Sequence, residues 1–312
     1  MTSNYCRKGH VEVARQNEKN PIKIYYEIHG NGPKKLLFIM GLSTSCVSWS
    51  HQVKYFGSHK DYQICVFDNR GIGWSGNDIF NVPPGFYSTS QMADDTFDLL
   101  DHLSWTSKVH LVGVSMGGMI AQEMAYARPE YFQSLCLTST HAGGCVPPLT
   151  GVLTIMRSMF IRDRHKKIPI MIKLLFPPSW LDSPAPSGSS FETNKAHLME
   201  ELRRQIQLTN PTTLTGSVGQ IAAVLSHGVS RERLIQIREN IPRILVITGT
   251  WDNLVNPKNS YYLGEELQAD LQIFEGSGHA LPTEQAERYN MALEDHFRKA
   301  EMISLNRPVV IL

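Results

Sequence analysis

The chain has 312 residues, of which 42% are hydrophobic and 19% charged, a composition typical of a globular protein with a sizeable core. Its formal net charge of +1 gives no sign of a nucleic-acid partner. The N-terminal segment lacks the apolar core of a signal peptide, and no apolar run reaches the roughly 18 residues that a membrane span needs. We therefore expect a cytoplasmic protein that acts on a small molecule; its oligomeric state stays open.

The cysteines and the glycine motifs give no sign of a metal or cofactor. Five cysteines lie far apart and form no C-x-x-C pair, which argues against a disulfide framework and a zinc site. Cys65 and Cys136 fall in apolar runs, so we expect them to be buried thiols. Because neither a Walker-type loop nor a strand-linked G-x-G-x-x-G occurs, we predict no metal and no cofactor.

The first half of the chain alternates short β-rich runs with helical patterns, which indicates a mostly parallel sheet with helices on both faces. An alternating run, "IKIYYEIH" at 22–29, predicts an early antiparallel strand. Near-continuous apolar runs are typical of strands buried on both faces, and here they occupy residues 35–40, 62–68, 109–114 and 134–140.

After residue 142 the chain becomes rich in proline and in apolar helical pieces, and strand patterns resume only at 242–249 and 270–276. The strands on both sides need each other to complete a sheet, which favours one interrupted domain over a separate second domain. We therefore predict a sheet domain formed by residues 1–142 and 241–312, with a helical insertion at 143–240.

A serine between glycines marks the end of one apolar strand. Gly113-Val114-Ser115-Met116-Gly117 matches G-x-S-x-G, with a strand before it and a helix after it. An exposed serine at a sharp strand-to-helix turn needs a strained backbone, which is tolerated only if the flanking residues lack bulk. An ordinary tight turn would also use glycine, so the motif needs partners before it indicates catalysis.

Two later loops supply those partners. Serine is a poor nucleophile at neutral pH and needs a base and a group that orients the base. His279 lies in the glycine-rich loop "GSGHA" after one predicted strand, and Asp252 lies in "GTWDNLV" after the preceding one. Ser115, Asp252 and His279 thus each follow a strand at the edge where open α/β sheets bind ligands.

With these residues the chain resembles the α/β-hydrolase superfamily over nearly its whole length. "DNRGIGWS" at 68–75 is similar to a further family loop, and Asp68 and Arg70 in it are interpreted as scaffold residues. The resemblance implies an eight-stranded, mostly parallel sheet with a helical cap after strand six. It also implies an oxyanion hole formed by the backbone N–H groups of Leu42 and Met116. Met40 departs from the histidine that many relatives have beside this loop.

The resemblance implies a two-step acyl transfer, in which His279 takes the Ser115 proton and Asp252 holds the imidazole. We expect the insertion to shape a mostly apolar pocket. Its candidate lining residues are His141, Met156, Met159, Phe160 and Trp180.

The expected activity is hydrolysis of a small-to-medium carboxylic ester or lactone by a serine hydrolase. Fold and triad do not determine the reaction, so C–C bond hydrolysis and perhydrolysis remain alternatives. A receptor that keeps the fold and binds a ligand without turnover is an alternative of a different class.

Overall fold

The structure is a computed structural model that describes residues 6–14, 21–75, 86–144 and 146–306. Within these ranges eight strands form one sheet in the order β1-β2-β4-β3-β5-β6-β7-β8. The strands are β1 (Cys6–Val13), β2 (Ile22–His29), β3 (Lys34–Ile39), β4 (Tyr62–Phe67), β5 (Val109–Val114), β6 (Phe132–Thr138), β7 (Ile244–Gly249) and β8 (Asp270–Phe274). β2 pairs antiparallel with both β1 and β4, and every other neighbouring pair is parallel.

The described helices follow the strands in the alternation that the sequence predicts. They are α1 (Ser50–Gly57), α2 (Thr89–His102), α3 (Met116–Ala127), α4 (Leu149–Met159), α5 (Arg164–Leu175), α6 (Pro178–Leu181), α7 (Asn194–Gln207), α8 (Leu214–Ser226), α9 (Arg231–Asn240), α10 (Lys258–Glu266), α11 (Leu281–Glu284) and α12 (Ala286–Asn306). No helix in the described ranges is both long and apolar enough to cross a bilayer.

Side chains of the central strands alternate between two hydrophobic cores, one on each face of the sheet. In β3, Leu37 and Ile39 belong to the core under α2, α3, α9 and α10, whereas Leu36 and Phe38 belong to the core under α1 and α12. Because both faces are buried, these strands read as continuous apolar runs. The predicted doubly covered sheet is confirmed.

The hairpin at the sheet edge includes a strand that we did not predict. β1 pairs with β2 over its whole length, from Cys6 opposite His29 to Val13 opposite Ile22. Its outer half is exposed and carries charged side chains, while Val11 and Val13 reach the core. An edge strand with one solvent-exposed face has too few apolar residues to be recognised from its sequence pattern.

Helices α5, α6 and α7 of the insertion after β6 share a hydrophobic cluster of their own. Ile168 and Ile172 of α5 pack with Phe176, Leu181 and Leu198 in a separate cluster. Farther along the chain, α9 packs against α3 and α10 of the sheet domain, and its Leu234 and Ile237 lie in the main core. This differs from the predicted boundary at residue 240, and we propose that the cap ends before α9.

The register of the parallel strands brings four strand ends to one edge of the sheet. Ile39 of β3 is opposite Gly113 of β5, and Gly249 of β7 is opposite Phe274 of β8. The loops after β3, β5, β7 and β8 therefore emerge side by side, which is where ligands bind in open α/β sheets.

Candidate active site

Ser115 occupies a strained turn between β5 and α3. Its backbone has φ 56° and ψ −121°, a conformation that L residues seldom adopt. The turn is held by Ser115 N–H, which donates to Thr138 O at 2.9 Å, and by Thr140 Oγ1, which donates to Ser115 O at 2.7 Å. The side-chain oxygen accepts and donates no hydrogen bond among the described residues. The turn therefore presents a hydroxyl that is available for chemistry.

Main-chain atoms lie so close to Gly113 and Gly117 that neither position can carry a side chain. A Cβ at Gly113 would lie 2.3 Å from Gly117 O, and a Cβ at Gly117 would lie 2.1 Å from Ile39 O. Both contacts are far below van der Waals distance and involve main-chain atoms, which cannot rotate away. The glycines thus let α3 begin directly against the strands.

A Gly113→Ala substitution is expected to lower the free energy of unfolding by about 1–3 kcal/mol, since an overpacked site must shift its backbone. Urea unfolding measures the change. Gly228→Ala is the matched control, because a Cβ there meets no atom of the described residues within 4 Å. Equal stability of the two variants would contradict this account of the turn.

Asp252 and His279 form a buried pair in the loops after β7 and β8. His279 Nδ1 lies 2.7 Å from Asp252 Oδ2. The other carboxylate oxygen, Oδ1, accepts the backbone N–H groups of Leu254 and Val255, each at 2.8 Å. Since both oxygens are occupied, the carboxylate cannot rotate, and Nδ1 carries the proton that it donates. In this tautomer the lone pair of Nε2 is free to accept a proton.

The loop after β3 lies against the serine. A Cβ at Gly41 would be 3.1 Å from Ser115 Cβ and 3.6 Å from its Oγ. Leu42 follows directly, and neither Leu42 N–H nor Met116 N–H has an acceptor among the described residues. An oxyanion hole requires two unpaired backbone donors of this kind.

The residues that we interpreted as scaffold lie in buried hydrogen-bond networks. Asp68 accepts from Ser45 Oγ, Cys46 N and Trp74 N at 2.7–2.8 Å. Arg70 forms a bidentate ion pair with Asp95, at 2.6 and 2.7 Å. These bonds fix the "DNRG" turn beside the site.

Met40 packs in the core below the loop. Its carbonyl accepts Asn69 Nδ2 at 2.9 Å. Asn69 was not among the predicted site residues, because its partner lies 29 positions away along the chain and no local pattern indicates the contact.

The insertion contacts the loops that follow β3, β7 and β8. A Cβ at Gly151 of α4 would lie 2.6 Å from Asn253 O, next to Asp252. Leu175 O, at the end of α5, accepts Ala280 N–H at 3.3 Å, next to His279. Helix α8 reaches the loop after β3, where Gln220 Oε1 accepts Ser43 N–H at 2.8 Å. These contacts place the insertion over the carboxyl edge of the sheet.

Some of the predicted pocket residues are buried in the structure and others are exposed. His141 is buried three residues after the end of β6, whereas Met156 on α4 and Phe160 just after α4 are 54% and 85% exposed. Trp180 stacks on Phe176 inside the cap, with ring centroids 5.1 Å apart. The Met159 side chain lies outside the described residues, as do Cys145 and the apolar tail from 307 onward. In this structure Met156 and Phe160 face outward, and a pocket-lining role for the set stays a prediction.

Two buried histidines lie where the cap meets the sheet domain. The rings of His141 and His227 have centroids 5.8 Å apart. Burial lowers the pKa of His141 to about 4. Burial, together with the nearby His141, lowers the pKa of His227 to about 3. Thr89 Oγ1 lies 2.9 Å from His227 Nδ1, and the Glu123 carboxylate, 3.8 Å from that nitrogen, is itself paired with Arg233.

This pair predicts loss of stability in weak acid. In the unfolded chain each imidazole binds a proton near pH 6.5, whereas the folded protein keeps both neutral down to about pH 4 and 3. The unfolded state therefore binds more protons, and stability falls as the pH drops below 6.5. At pH 5 the loss is about 2 kcal/mol for each histidine.

Urea unfolding at pH 7.5 and pH 5 measures this loss. A His141→Gln/His227→Gln double variant should show a smaller pH dependence than the wild type, and variation of the exposed His165 to Gln should leave it unchanged. The same pH dependence in all three proteins would show that other groups are responsible.

Three side chains with metal-ligand atoms come together away from this site, on the β1–β2 hairpin. The ligand atoms of Cys6, Glu27 and His29 lie within 4.8 Å of one another. Burial raises the pKa of Glu27, but hydrogen bonds from His29, Lys8 and Tyr25 outweigh it and bring the pKa to about 2. Because the carboxylate is already saturated and Lys8 adds a positive charge, we interpret the group as a hydrogen-bonded cluster.

Fold and site together define a hydrolase of the α/β class. Residues 34–285 match the family described as "alpha/beta hydrolase fold", and the chain belongs to this family. The match covers the sheet from β3 onward, the insertion and the loops of Ser115, Asp252 and His279.

Individual proteins similar to the chain are hydrolases of several kinds. A protein of Stutzerimonas stutzeri, named "Putative carbamate hydrolase RutD", is 26% identical over 88% of this chain and 96% of its own. An esterase structure from Thermogutta terrifontis has a TM-score of 0.73 and 23% identity, covering 94% and 99% of the two chains. An enol-lactonase structure from Burkholderia xenovorans has a TM-score of 0.73 and 20% identity, covering 93% and 100%. The two structures share the fold.

Proposed function

We propose that the protein is a serine hydrolase that cleaves a small-to-medium carboxylic ester or lactone through an acyl-enzyme. The observation that carries the proposal is the buried Asp252–His279 pair, 2.7 Å from Oδ2 to Nδ1, on the same sheet edge as the strained turn of Ser115. A nucleophile, a base and a group that orients the base make up the triad arrangement.

In the proposed reaction His279 Nε2 removes the Ser115 proton while Oγ attacks the substrate carbonyl carbon. The imidazolium that forms is stabilised by Asp252, whose two further hydrogen bonds keep it in place. The carbonyl oxygen becomes an oxyanion, which Leu42 N–H and Met116 N–H would bind. His279 then returns the proton to the leaving alcohol, and a water molecule hydrolyses the acyl-enzyme by the same steps in reverse.

The comparisons favour an acyl substrate. The curated relative is named a carbamate hydrolase, and a carbamate, like an ester or a lactone, is cleaved at a carbonyl carbon. The serine nucleophile supports an acyl-enzyme rather than an alkyl-enzyme. The contacts of α4, α5 and α8 with the catalytic loops support a substrate enclosed between cap and sheet, which limits its size.

A substrate panel tests the proposal. The wild type and Ser115→Ala would be assayed with p-nitrophenyl esters of two to eight acyl carbons, with γ- and δ-lactones, and with p-nitrophenyl carbamates. We expect turnover of at least one ester or lactone by the wild type only. Turnover of carbamates alone would change the substrate class, while no turnover combined with ligand-dependent thermal stabilisation would favour a receptor and contradict the proposal.

A further inference from the structure

A buried glutamine of the cap is hydrogen-bonded to the loop that carries the predicted oxyanion donor. Gln220, on α8, is fully buried, and both ends of its amide are used. Its Oε1 accepts Ser43 N–H at 2.8 Å, and its Nε2 donates to Arg70 O at 3.1 Å. We propose that Gln220 is a positioning residue that holds the Leu42 N–H in place for the oxyanion. This inference rests on the proposed function.

The amide has only one orientation that satisfies both neighbours. Ser43 N–H is a donor and needs the side-chain oxygen, whereas Arg70 O is an acceptor and needs the side-chain NH₂. A rotated amide would place its NH₂ against Ser43 N–H and its oxygen against Arg70 O. Both pairs would lack a hydrogen bond inside the protein, where unpaired polar groups are costly. Gln220 therefore joins the loop after β3 to the "DNRG" turn in one geometry.

The anchor of this link is rigid. Arg70 O also accepts Tyr87 Oη at 3.4 Å, and the Arg70 guanidinium is held by Asp95. Helix α8 approaches so closely that a Cβ at Gly216 would lie 2.3 Å from Gly71 O, and a Cβ at Gly219 would lie 2.2 Å from the Tyr87 ring. Gln220 thus extends from a helix whose backbone is pressed onto the sheet domain.

Hydrogen bonds constrain the peptide planes on both sides of the Leu42 N–H. The plane before it is fixed where Met40 O accepts Asn69 Nδ2. The plane after it is fixed twice, because Leu42 O accepts Thr44 Oγ1 at 3.0 Å and Ser43 N–H donates to Gln220. The Leu42 N–H belongs to the plane in between and is itself without an acceptor among the described residues.

The geometry of Ser43 makes this constraint necessary. Its φ is 54°, in the left-handed region that a serine seldom adopts. Without Gln220 the backbone at Ser43 can relax, its N–H seeks another acceptor, and the neighbouring Leu42 N–H loses its direction. A donor displaced by a fraction of an ångström stabilises a developing oxyanion poorly, so the loss falls mainly on the chemical step.

The test compares Gln220→Met with Gln133→Met. Methionine keeps the length of glutamine and removes the hydrogen bonds. Gln133 is also buried and donates to the backbone carbonyl of Ala300, on α12, at 2.7 Å. With rates normalised by active-site titration, we expect Gln220→Met to lower kcat about 10–100-fold with KM changed less than about threefold. The affinity for an alkylboronic acid, which forms a tetrahedral adduct, should fall by the same factor as kcat.

A conservative variant adds a readout that general destabilisation would not produce. In Gln220→Glu, a neutral carboxylic acid has the same acceptor and donor as the amide, whereas the carboxylate has no donor for Arg70 O. The kcat of this variant relative to wild type should therefore rise toward acid pH, while the ratio for Gln133→Met stays flat.

Hydrogen exchange measured by mass spectrometry tests the link without any substrate. Amides in the peptide containing Leu42, Ser43 and Thr44 should exchange faster in Gln220→Met and at the wild-type rate in Gln133→Met. Unchanged exchange, or an equal kcat in the two variants, overturns the inference. Faster exchange in a protein whose wild type hydrolyses no ester or lactone would instead confirm the link and refute the proposed function.

Discussion

Ser115→Ala is expected to lower kcat for the best ester by about 10⁴-fold or more while leaving the fold intact. Every step of the proposed reaction passes through the Ser115 oxygen, so its loss leaves only the attack of water on a substrate held by the proposed oxyanion donors. The hydroxyl makes no hydrogen bond among the described residues, and alanine tolerates the φ of 56° no worse than serine. The free energy of unfolding should therefore change by less than about 0.5 kcal/mol.

Ser139→Ala is the matched control for this result. Ser139 also follows a sheet strand, has a positive φ of 46°, and carries a buried hydroxyl without a hydrogen-bond partner in the described part of the chain. Initial rates of p-nitrophenol release, with urea unfolding of both variants, give the comparison. Equal losses of activity in the two variants would mean that any serine change at this edge perturbs the site, which would remove the support for a nucleophile at 115.

Asp252→Asn is expected to lower kcat by about 10³–10⁴-fold through the tautomer of His279. The Oδ1 atom of Asp252 accepts two backbone N–H groups, so the oxygen of an asparagine would take that position and its NH₂ would face His279. An NH₂ group can only donate, which forces Nδ1 to accept and places the proton on Nε2. Nε2 then carries a proton and cannot accept the one from Ser115.

This mechanism makes a prediction for pH as well as for rate. Hydroxide can replace the missing base, so the activity of Asp252→Asn relative to the wild type should rise steeply with pH above neutrality. Asp101→Asn, at an exposed aspartate paired with Arg128, serves as the control and should retain the wild-type profile. A wild-type profile in Asp252→Asn would contradict the assigned role.

The sheet was predictable because each buried strand can be recognised from its own short stretch of sequence. Strands buried on both faces must be apolar at every position, and runs such as Val109–Val114 show this directly. The turn at Ser115 was predictable for a steric reason. Gly113 and Gly117 each lie against main-chain atoms that leave no room for a Cβ. Strand β1 was missed because charged side chains fill its solvent face.

The parts that were not predictable depend on contacts between distant residues. An amphipathic pattern in α4 predicts a helix with an apolar face but not the direction of that face, and Met156 and Phe160 are exposed. The packing of α9 against α3 depends on how the chain returns from the insertion. Gln220 lies 177 residues from Ser43 along the chain, so nothing in the sequence around it indicates their hydrogen bond.

Ser115 is proposed to be an activated nucleophile, and covalent labelling tests this most directly. Wild type, Ser115→Ala and His279→Ala would be treated with a fluorophosphonate and examined by intact mass. We expect a single adduct on the wild type, none on Ser115→Ala, and labelling slowed at least about 100-fold in His279→Ala. A folded wild type without an adduct, or an adduct of equal rate on Ser115→Ala, would contradict the claim.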